Sequence, residues 1–199
     1  MIAIIDYGAG NLFSVQNALN FLGIENIITK DKADIEKADK LILPGVGAFP
    51  DAMKMLSDAG LVDVIKEQVK TKPLMGICLG MQMLFEKSYE FGKTEGLGLI
   101  PGTVELMKPE NDLLIPHIGW NALEKNEDCP LLQNVEEGDY VYFVHSFAAV
   151  TDSKNVAAYC DYGMKVPGLV AKGNVYGCQF HPEKSGKTGL DILKNFAML

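Results

Sequence analysis

Cys78 stands in the segment Gly-Ile-Cys-Leu-Gly, residues 76–80, with a glycine two positions before it and another two positions after it. A short apolar run, residues 73–75, precedes this segment, and a helix-favouring stretch, residues 81–87, follows it. The order predicts a strand, a sharp turn that carries the cysteine, and a helix, because glycine lets the backbone pass close to neighbouring chain. Partial positive charge at a helix N-terminus favours the thiolate. We therefore expect Cys78 to be an exposed nucleophile.

A nucleophilic cysteine needs a base, and the sequence offers one in His181-Pro182-Glu183. Proline restricts this segment to an extended or turn conformation, and residues two apart on an extended chain share a face. Glu183 can then hold the imidazole of His181, whose other nitrogen takes the proton of Cys78 and passes it to the leaving group. Alone, each motif has a structural explanation, a buried cysteine or a histidine at a strand end. Together they predict acyl transfer through a thioester.

A glycine-rich turn, Pro-Gly-Val-Gly-Ala-Phe at residues 44–49, closes another predicted strand at residues 41–43. We predict that this turn lies at the same sheet edge as Cys78. Its backbone N–H groups, with that of Leu79, could then stabilise the oxyanion of a tetrahedral intermediate. The alternative is a tight connection to a helix with Pro50 in its first turn.

Two other histidines stand in apolar surroundings. His145-Ser146-Phe147 interrupts an apolar strand, and we predict that it lines the substrate pocket, although a satisfied pair in the core is the alternative. His117 is predicted to be structural. The segment 6–12 resembles a dinucleotide-binding loop only weakly, because the third glycine of that motif would fall at Phe13.

Composition excludes several classes of function. The chain has 199 residues and a net charge of −8, which argues against nucleic acid or an anionic membrane as its partner. No apolar run approaches the ~18 residues of a membrane-spanning helix. The four cysteines show no zinc-binding spacing, so no metal is implied, and free thiols predict a cytoplasmic protein. The length fits a single domain over residues 1–199.

The first half of the chain alternates predicted strands and helices. The strands fall at residues 1–6, 26–29 and 40–43, and the apolar stripes of helices at residues 15–22 and 61–69. Such alternation predicts an α/β fold with a mainly parallel central sheet and helices on both faces. From residue 103 onward, β-type segments predict an antiparallel extension in the C-terminal half, at residues 103–107, 140–150, 156–162, 169–172 and 174–180. A final helix is predicted at residues 187–198.

The whole chain resembles the class I (triad-type) glutamine amidotransferases, which are flavodoxin-like. Within that class it is similar to the glutaminase subunits of imidazole glycerol phosphate synthases, from histidine biosynthesis. The resemblance is carried by six blocks of sequence: residues 5–12, 43–49, 76–82, 117–121, 142–146 and 179–185.

The resemblance implies a role for each motif. Cys78 would be the nucleophile, His181 the general acid and base, and Glu183 the residue that orients it. Val46, Gly47 and Leu79 would form the oxyanion hole. The glutamine substrate would be held by Gly45, Gln82, His145, Ser146 and Phe147.

The resemblance also implies a partner and no cofactor. Ammonia released from glutamine would pass to a cyclase with a (β/α)₈ barrel, which makes imidazole glycerol phosphate and an aminoimidazole carboxamide ribonucleotide. A barrel needs about 250 residues, so we expect the cyclase to be a separate chain in a heterodimer. Asn11, Leu12, Phe13 and Lys184 are the predicted partner surface. Neither a metal nor an organic cofactor is implied.

Three other functions stay open at this point. A cysteine peptidase could use the same turn and histidine, a synthase of another pathway could share the amidotransferase domain, and a non-catalytic binding module could share the fold. Glutamate release separates the glutaminases from the binding module, and the partner that is required separates the synthases.

Overall fold

A computed structural model describes residues 1–111 and 113–199. The strands, in chain order, are β1 (Ile2–Ile5), β2 (Asn26–Thr29), β3 (Lys40–Gly45), β4 (Leu74–Cys78), β5 (Phe85–Ser88), β6 (Thr94–Glu95), β7 (Ile100–Leu106), β8 (His117–Ala122), β9 (Glu124–Lys125), β10 (Tyr140–His145), β11 (Phe147–Val150), β12 (Val156–Asp161), β13 (Lys165–Lys172) and β14 (Val175–Cys178). The α-helices are α1 (Leu12–Phe21), α2 (Lys32–Lys37), α3 (Phe49–Asp58), α4 (Val62–Gln68), α5 (Leu79–Gln82) and α6 (Gly186–Met198).

The central sheet has the strand order β2-β1-β3-β4-β14-β13-β12-β9 in the described chain. The first five strands of this order are parallel to one another, and β13, β12 and β9 continue the sheet in antiparallel fashion. The predicted α/β fold with a mainly parallel sheet and an antiparallel extension is therefore confirmed. In such sheets, ligands bind beyond the carboxyl ends of the parallel strands.

Both faces of the parallel strands are buried, which explains their nearly continuous apolar sequences. In β1, Ile2 and Ile4 face one apolar cluster, which α1 and α6 complete. Ala3 and Ile5 face the opposite cluster, to which α2, α3 and α4 contribute side chains such as Ile35. Burial on both faces holds the carboxyl ends of β3, β4 and β14 at one edge.

Two smaller sheets flank this edge. β8 and β10 form an antiparallel ribbon, and β11, β7, β5 and β6 form another sheet. The prediction of one continuous β segment at residues 140–150 is wrong. The segment is divided at Ser146, because β10 pairs with β8 whereas β11 pairs with β7.

The helix predicted at residues 81–87 is also wrong. α5 ends at Gln82, and β5 begins at Phe85. The carbonyl groups of Met83 and Leu84 accept hydrogen bonds from the backbone of residues 97–100 instead of continuing a helix. Pairing with that later segment outweighs the helix propensity of the sequence.

The turn after β4 packs directly on the backbone of β3. A Cβ atom on Gly76 would lie 2.5 Å from the carbonyl oxygen of Gly80, and a Cβ atom on Gly80 would overlap the carbonyl oxygen of Leu43. Leu43 is fully buried within β3, so its backbone has little room to move. Both glycines are therefore required by contact with the neighbouring backbone.

We expect Gly80→Ala to destabilise the protein by about 3 kcal/mol or to prevent folding, because the new methyl group meets a buried backbone carbonyl. Gly173→Ala is the matched control, since Gly173 has a φ of 59° with no atom near its Cβ position. That change strains the backbone only, by about 1 kcal/mol. Urea unfolding measures both values, and an equal loss in the two variants would contradict the predicted clash.

Candidate active site

Cys78 ends β4 and begins the turn into α5, with φ 55° and ψ −112°. Non-glycine residues rarely adopt a positive φ, and the strain is typical of active-site turns. The side chain is only 7% exposed, so the sulfur lies at the floor of a pocket rather than on an open surface as expected. Because α5 is a single turn, it sums few peptide dipoles, and the predicted field of a helix N-terminus is correspondingly small.

The pocket above Cys78 has a volume of about 410 Å³. Segments from several elements meet there because the carboxyl edge of the central sheet faces the β8–β10 ribbon. Its lining residues are Val46, Gly47, Cys78, Leu79, Gln82, Glu90, Pro116, Val144, His145, Ser146, Phe147, His181 and Lys184.

His181 and Glu183 form a buried pair beside Cys78. Nδ1 of His181 lies 2.8 Å from Oε1 of Glu183, and both side chains are almost fully buried. Since a carboxylate only accepts, Nδ1–H is the donor, which leaves Nε2 unoccupied by Glu183. The expected extended geometry does not produce this contact. Instead, residues 182–184 form a 3₁₀ turn that brings the carboxylate back toward the ring.

Opposing effects act on the imidazole of His181. Burial alone lowers its pKa, but the side-chain hydrogen bonds to Cys78 and Glu183, together with the charges of both, outweigh burial and raise the pKa to about 9. The surroundings of His181 thus favour the protonated form of its imidazole.

Asn11 approaches Glu183 from the start of α1. Its Nδ2 lies 3.4 Å from Oε1 of Glu183, and the Ser14 hydroxyl donates to Oδ1 of Asn11 over 2.8 Å, which fixes the direction of the amide. Oε2 of Glu183 is buried without a hydrogen-bond partner among the described residues. Asn11 therefore contacts the candidate triad, although the sequence predicted it for a partner surface.

The glycine-rich turn lies where the sequence predicted it. Val46, Gly47 and Leu79 all line the pocket beside Cys78. Gly47 has a φ of 97° and no atom within 4 Å of its Cβ position. Gly45 does not line the pocket; it pairs with Cys78 across β3 and β4, and a Cβ there would lie 2.6 Å from the backbone nitrogen of Gly80.

The four remaining predicted substrate residues, Gln82, His145, Ser146 and Phe147, all line the pocket. Sequence reasoning missed Glu90, which lies in the same lining after β5. Its Oε2 accepts a hydrogen bond of 2.7 Å from the backbone nitrogen of Phe49. No motif marks this carboxylate, because only the fold of the loop after β5 brings it to the pocket.

Comparison with known proteins agrees with this geometry. A sequence model described as glutamine amidotransferase class-I matches residues 3–199. The chain belongs to the class-I glutamine amidotransferase family. It is 55% identical over 197 residues to the imidazole glycerol phosphate synthase subunit HisH of Bacillus cereus strain G9842, covering 98% of this chain and 93% of the relative. The HisH subunit of Bacillus thuringiensis strain Al Hakam is 54% identical over the same shares.

Solved structures share the fold at much lower identity. A crystal structure of a glutamine amidotransferase superposes with a TM-score of 0.77 at 22% identity, with complete coverage of both chains. A structure of PurLQS from Thermotoga maritima gives a TM-score of 0.75 at 22% identity, covering 98% of this chain and 96% of that one. At such identities the likeness shows the class-I amidotransferase fold alone.

In this amidotransferase, His117 and His145 form a buried pair, of which His145 lines the pocket and His117 does not. Nδ1 of His117 lies 3.1 Å from Nε2 of His145, and Nδ1 of His145 lies 2.9 Å from the Phe147 carbonyl oxygen. A carbonyl only accepts, so Nδ1–H of His145 is the donor and its Nε2 accepts from His117 when both rings are neutral. His117 stacks between Phe143 and Tyr162. These contacts fit the structural role predicted for His117.

Burial keeps the His117–His145 pair neutral. Desolvation lowers the pKa of His117 and that of His145 to about 4 each, and for His145 the charges of His117 and His181 act in the same direction. The amidotransferase thus contains one histidine environment that favours the cation and another that favours the neutral ring.

The predicted partner residues occupy different surroundings. Phe13 is 73% exposed, whereas Leu12 is half-buried against the apolar cluster on the α1 side. Lys184 lines the pocket. Only Phe13 is therefore a freely exposed apolar side chain within the predicted segment 11–13.

The other three cysteines of the described chain lie outside the pocket lining and are buried or half-buried. Burial raises the pKa of the Cys160 thiol to about 12 and also raises the pKa values of Cys129 and Cys178. Thiols of this kind are poor nucleophiles. Within residues 1–111 and 113–199, no cluster of three potential metal ligands occurs, and no helix is long and apolar enough to cross a membrane.

We expect acid to destabilise the protein through the neutral histidine pair. The folded pKa of His117, about 4, lies below its ordinary 6.5, so the stability contributed by the neutral ring is present above pH 6.5 and decreases as the pH falls toward 4. His117→Gln should therefore lose less free energy of unfolding than the parent over that range. Urea unfolding at a series of pH values measures this, and parallel curves for the two proteins would contradict it.

Proposed function

We propose that this chain is the glutamine-hydrolysing subunit of an imidazole glycerol phosphate synthase, in histidine biosynthesis. It hydrolyses glutamine to glutamate and ammonia and delivers the ammonia to a separate cyclase subunit. The observation that carries the proposal is the meeting of Cys78 and His181 at one pocket, with Glu183 on Nδ1 of His181. The chain that contains them is 55% identical to a HisH subunit over nearly its whole length.

The reaction we propose begins when His181 takes the proton of Cys78 and Sγ attacks the side-chain amide carbon of glutamine. His181 then gives a proton to the leaving ammonia, which leaves a thioester on Cys78. Glu183 keeps the imidazole in the orientation in which Nε2 faces the sulfur. His181 next takes a proton from water, and the hydroxide releases glutamate from Cys78.

Each tetrahedral intermediate carries a negative oxygen that needs N–H donors. We propose that the backbone of Leu79 and the turn at Val46 and Gly47 supply them, since both line the pocket next to Cys78. Donors of this kind act on charge that develops only in the transition state, and they therefore raise the rate rather than the affinity.

We propose that Glu90 binds the ammonium group of the substrate. It is a carboxylate in the pocket lining, and one of its oxygens is already held by the Phe49 amide. A carboxylate oriented in this way is suited to the α-ammonium group of glutamine.

The partner surface we propose is the outward face of the β8–β10 ribbon. Burial alternates along both strands, so that His117, Phe143 and His145 point inward. The outward side chains are Ile118, Trp120, Tyr140, Tyr142 and Val144. Val144 also lines the pocket, so a cyclase docked on this face would lie where ammonia is released. Exposed apolar patches of this kind mark interfaces.

We also propose that the partner cyclase is a (β/α)₈ barrel, that the complex is a heterodimer, and that it is cytoplasmic. The cysteines of the described chain are all free thiols, which fits a reducing compartment.

Cys78→Ala should reduce glutamate release by at least about a thousandfold, because it removes the nucleophile. The assay follows glutamate from glutamine, with the chain alone and with the matching cyclase plus its nucleotide substrate. We expect the complete mixture to be strongly stimulated. Equal rates with and without the cyclase would point to another synthase, and absence of glutamate in every mixture would contradict glutaminase activity.

In the same assay, Ile118→Asp should abolish stimulation by the cyclase and leave the basal rate unchanged. Phe21→Asp is the matched control, because Phe21 is 78% exposed but lies at the end of α1 rather than on the ribbon. Loss of stimulation in both variants, or in neither, would contradict docking on the ribbon.

Glu90→Gln should raise the KM for glutamine by roughly tenfold while kcat changes little, because the amide oxygen still accepts from Phe49 but the charge is lost. Glu86→Gln is the control, since Glu86 binds the backbone of Gly102 outside the pocket lining. Steady-state kinetics of both variants test this, and an unchanged KM in Glu90→Gln would exclude the proposed contact.

A further inference from the structure

We propose that Gln179 holds the nucleophile in place, by donating an amide N–H to Sγ of Cys78 and stabilising the thiolate for attack. The proposal rests on the proposed glutaminase function, because it gives Gln179 a part in the same reaction. Nε2 of Gln179 lies 3.9 Å from Sγ. The side chain is fully buried, and a buried amide requires hydrogen-bond partners.

The topology of the sheet places Gln179 beside the nucleophile. β14 is parallel to β4, and Cys178 pairs with Ile77. Gln179, which follows β14, and Cys78, which ends β4, therefore emerge at the same edge. The backbone nitrogen of Gln179 donates to the Gly168 carbonyl oxygen over 2.9 Å, which ties this position to the neighbouring strand.

The direction of the Gln179 amide follows from a chain of hydrogen bonds that starts at a backbone carbonyl. The Phe147 carbonyl oxygen can only accept, so the atom of Gln82 that lies 3.0 Å away is the amide nitrogen, Nε2. That nitrogen also lies 3.0 Å from Gln179, which must present Oε1 to it. Nε2 of Gln179 consequently points toward Sγ.

The sulfur has a different partner for each protonation state. Sγ also lies 3.9 Å from the carbonyl oxygen of Val144, which can accept the S–H of a thiol but repels a thiolate. The Gln179 amide has the opposite preference, since an N–H binds an anionic sulfur more strongly than a neutral one. Loss of the proton from Cys78 thus exchanges the Val144 contact for the Gln179 contact.

Gln179 cannot replace His181 in this scheme. An amide neither takes nor releases a proton at neutral pH, so Gln179 acts on the position and charge of the sulfur while His181 moves the proton. Removal of Gln179 should accordingly change how readily Cys78 ionises, whereas loss of a residue that only fills space should not.

The test measures the rate of alkylation of Cys78 by iodoacetamide across a range of pH, in the full chain. Mass spectrometry follows the peptide that contains Cys78, and Cys78→Ala identifies any signal from other thiols. Gln179→Met keeps a side chain of similar volume without an N–H. We expect it to move the pH midpoint of alkylation upward by roughly one unit and to lower kcat for glutamine roughly tenfold.

Gln82→Met is the second variant, because it removes the partner that orients the Gln179 amide but keeps the N–H of Gln179 itself. It should raise the KM for glutamine and move the pH midpoint of alkylation upward by less than Gln179→Met does, since the N–H can still reach Sγ part of the time. A shift in Gln82→Met that exceeds the shift in Gln179→Met would assign the effect to Gln82 and would overturn the proposal.

Circular dichroism and thermal unfolding establish that the variants are folded. If Gln179→Met fails to fold, Gln179→Asn replaces it, since an amide shortened by one methylene no longer reaches Sγ, and the same upward shift is expected. An unchanged midpoint in a folded variant overturns the role of Gln179. Retention of glutaminase activity in Cys78→Ala would instead overturn the proposed function, so the two failures are distinguishable.

Discussion

The close contact between the turn after β4 and the backbone of β3 is the constraint on which the site depends. Gly76 and Gly80 leave no room for a Cβ atom, and Cys78 between them takes a positive φ. With this geometry Cys78 lies at the carboxyl edge of the sheet, where it lines the pocket and also packs on the apolar cluster of the α1 side. The same contact places Cys78 level with Gly45 of β3 and so brings the glycine-rich turn that follows β3 beside the nucleophile.

The antiparallel half of the chain supplies the other wall of the pocket. The division at Ser146 sends β10 to the ribbon and β11 to another sheet, so the residues around the division face the sulfur rather than continuing one strand. Because the outward face of the ribbon is apolar and its inward face carries the His117–His145 pair, a single ribbon separates a candidate docking surface from the buried polar groups of the site.

Each buried donor in this network of the site faces an acceptor, and the direction of one hydrogen bond determines the direction of the next. Starting from the Phe147 carbonyl, the assignment passes through Gln82 and Gln179 to the sulfur, and through His145 to His117. Reversal of the Gln179 amide would set donor against donor, and reversal of the Gln82 amide would set acceptor against acceptor. Such a network tolerates few substitutions, since each unpaired group buried away from water destabilises the folded state.

Much of the fold and the chemistry of the site could be predicted from the sequence because the signals are local. Apolar runs and stripes determine strands and helices buried on a parallel sheet, and spacing within residues 76–80 and 181–183 depends only on chain geometry over a few residues. Glu90, Gln179 and the one-turn length of α5 could not be predicted, since each depends on backbone from distant segments. Tertiary structure alone decided that a loop carboxylate enters the pocket, that a buried amide faces the sulfur, and that pairing with residues 97–100 ends the helix. The physical reason is that contacts between distant segments, rather than local propensity, determine which polar groups lie next to one another inside the folded protein.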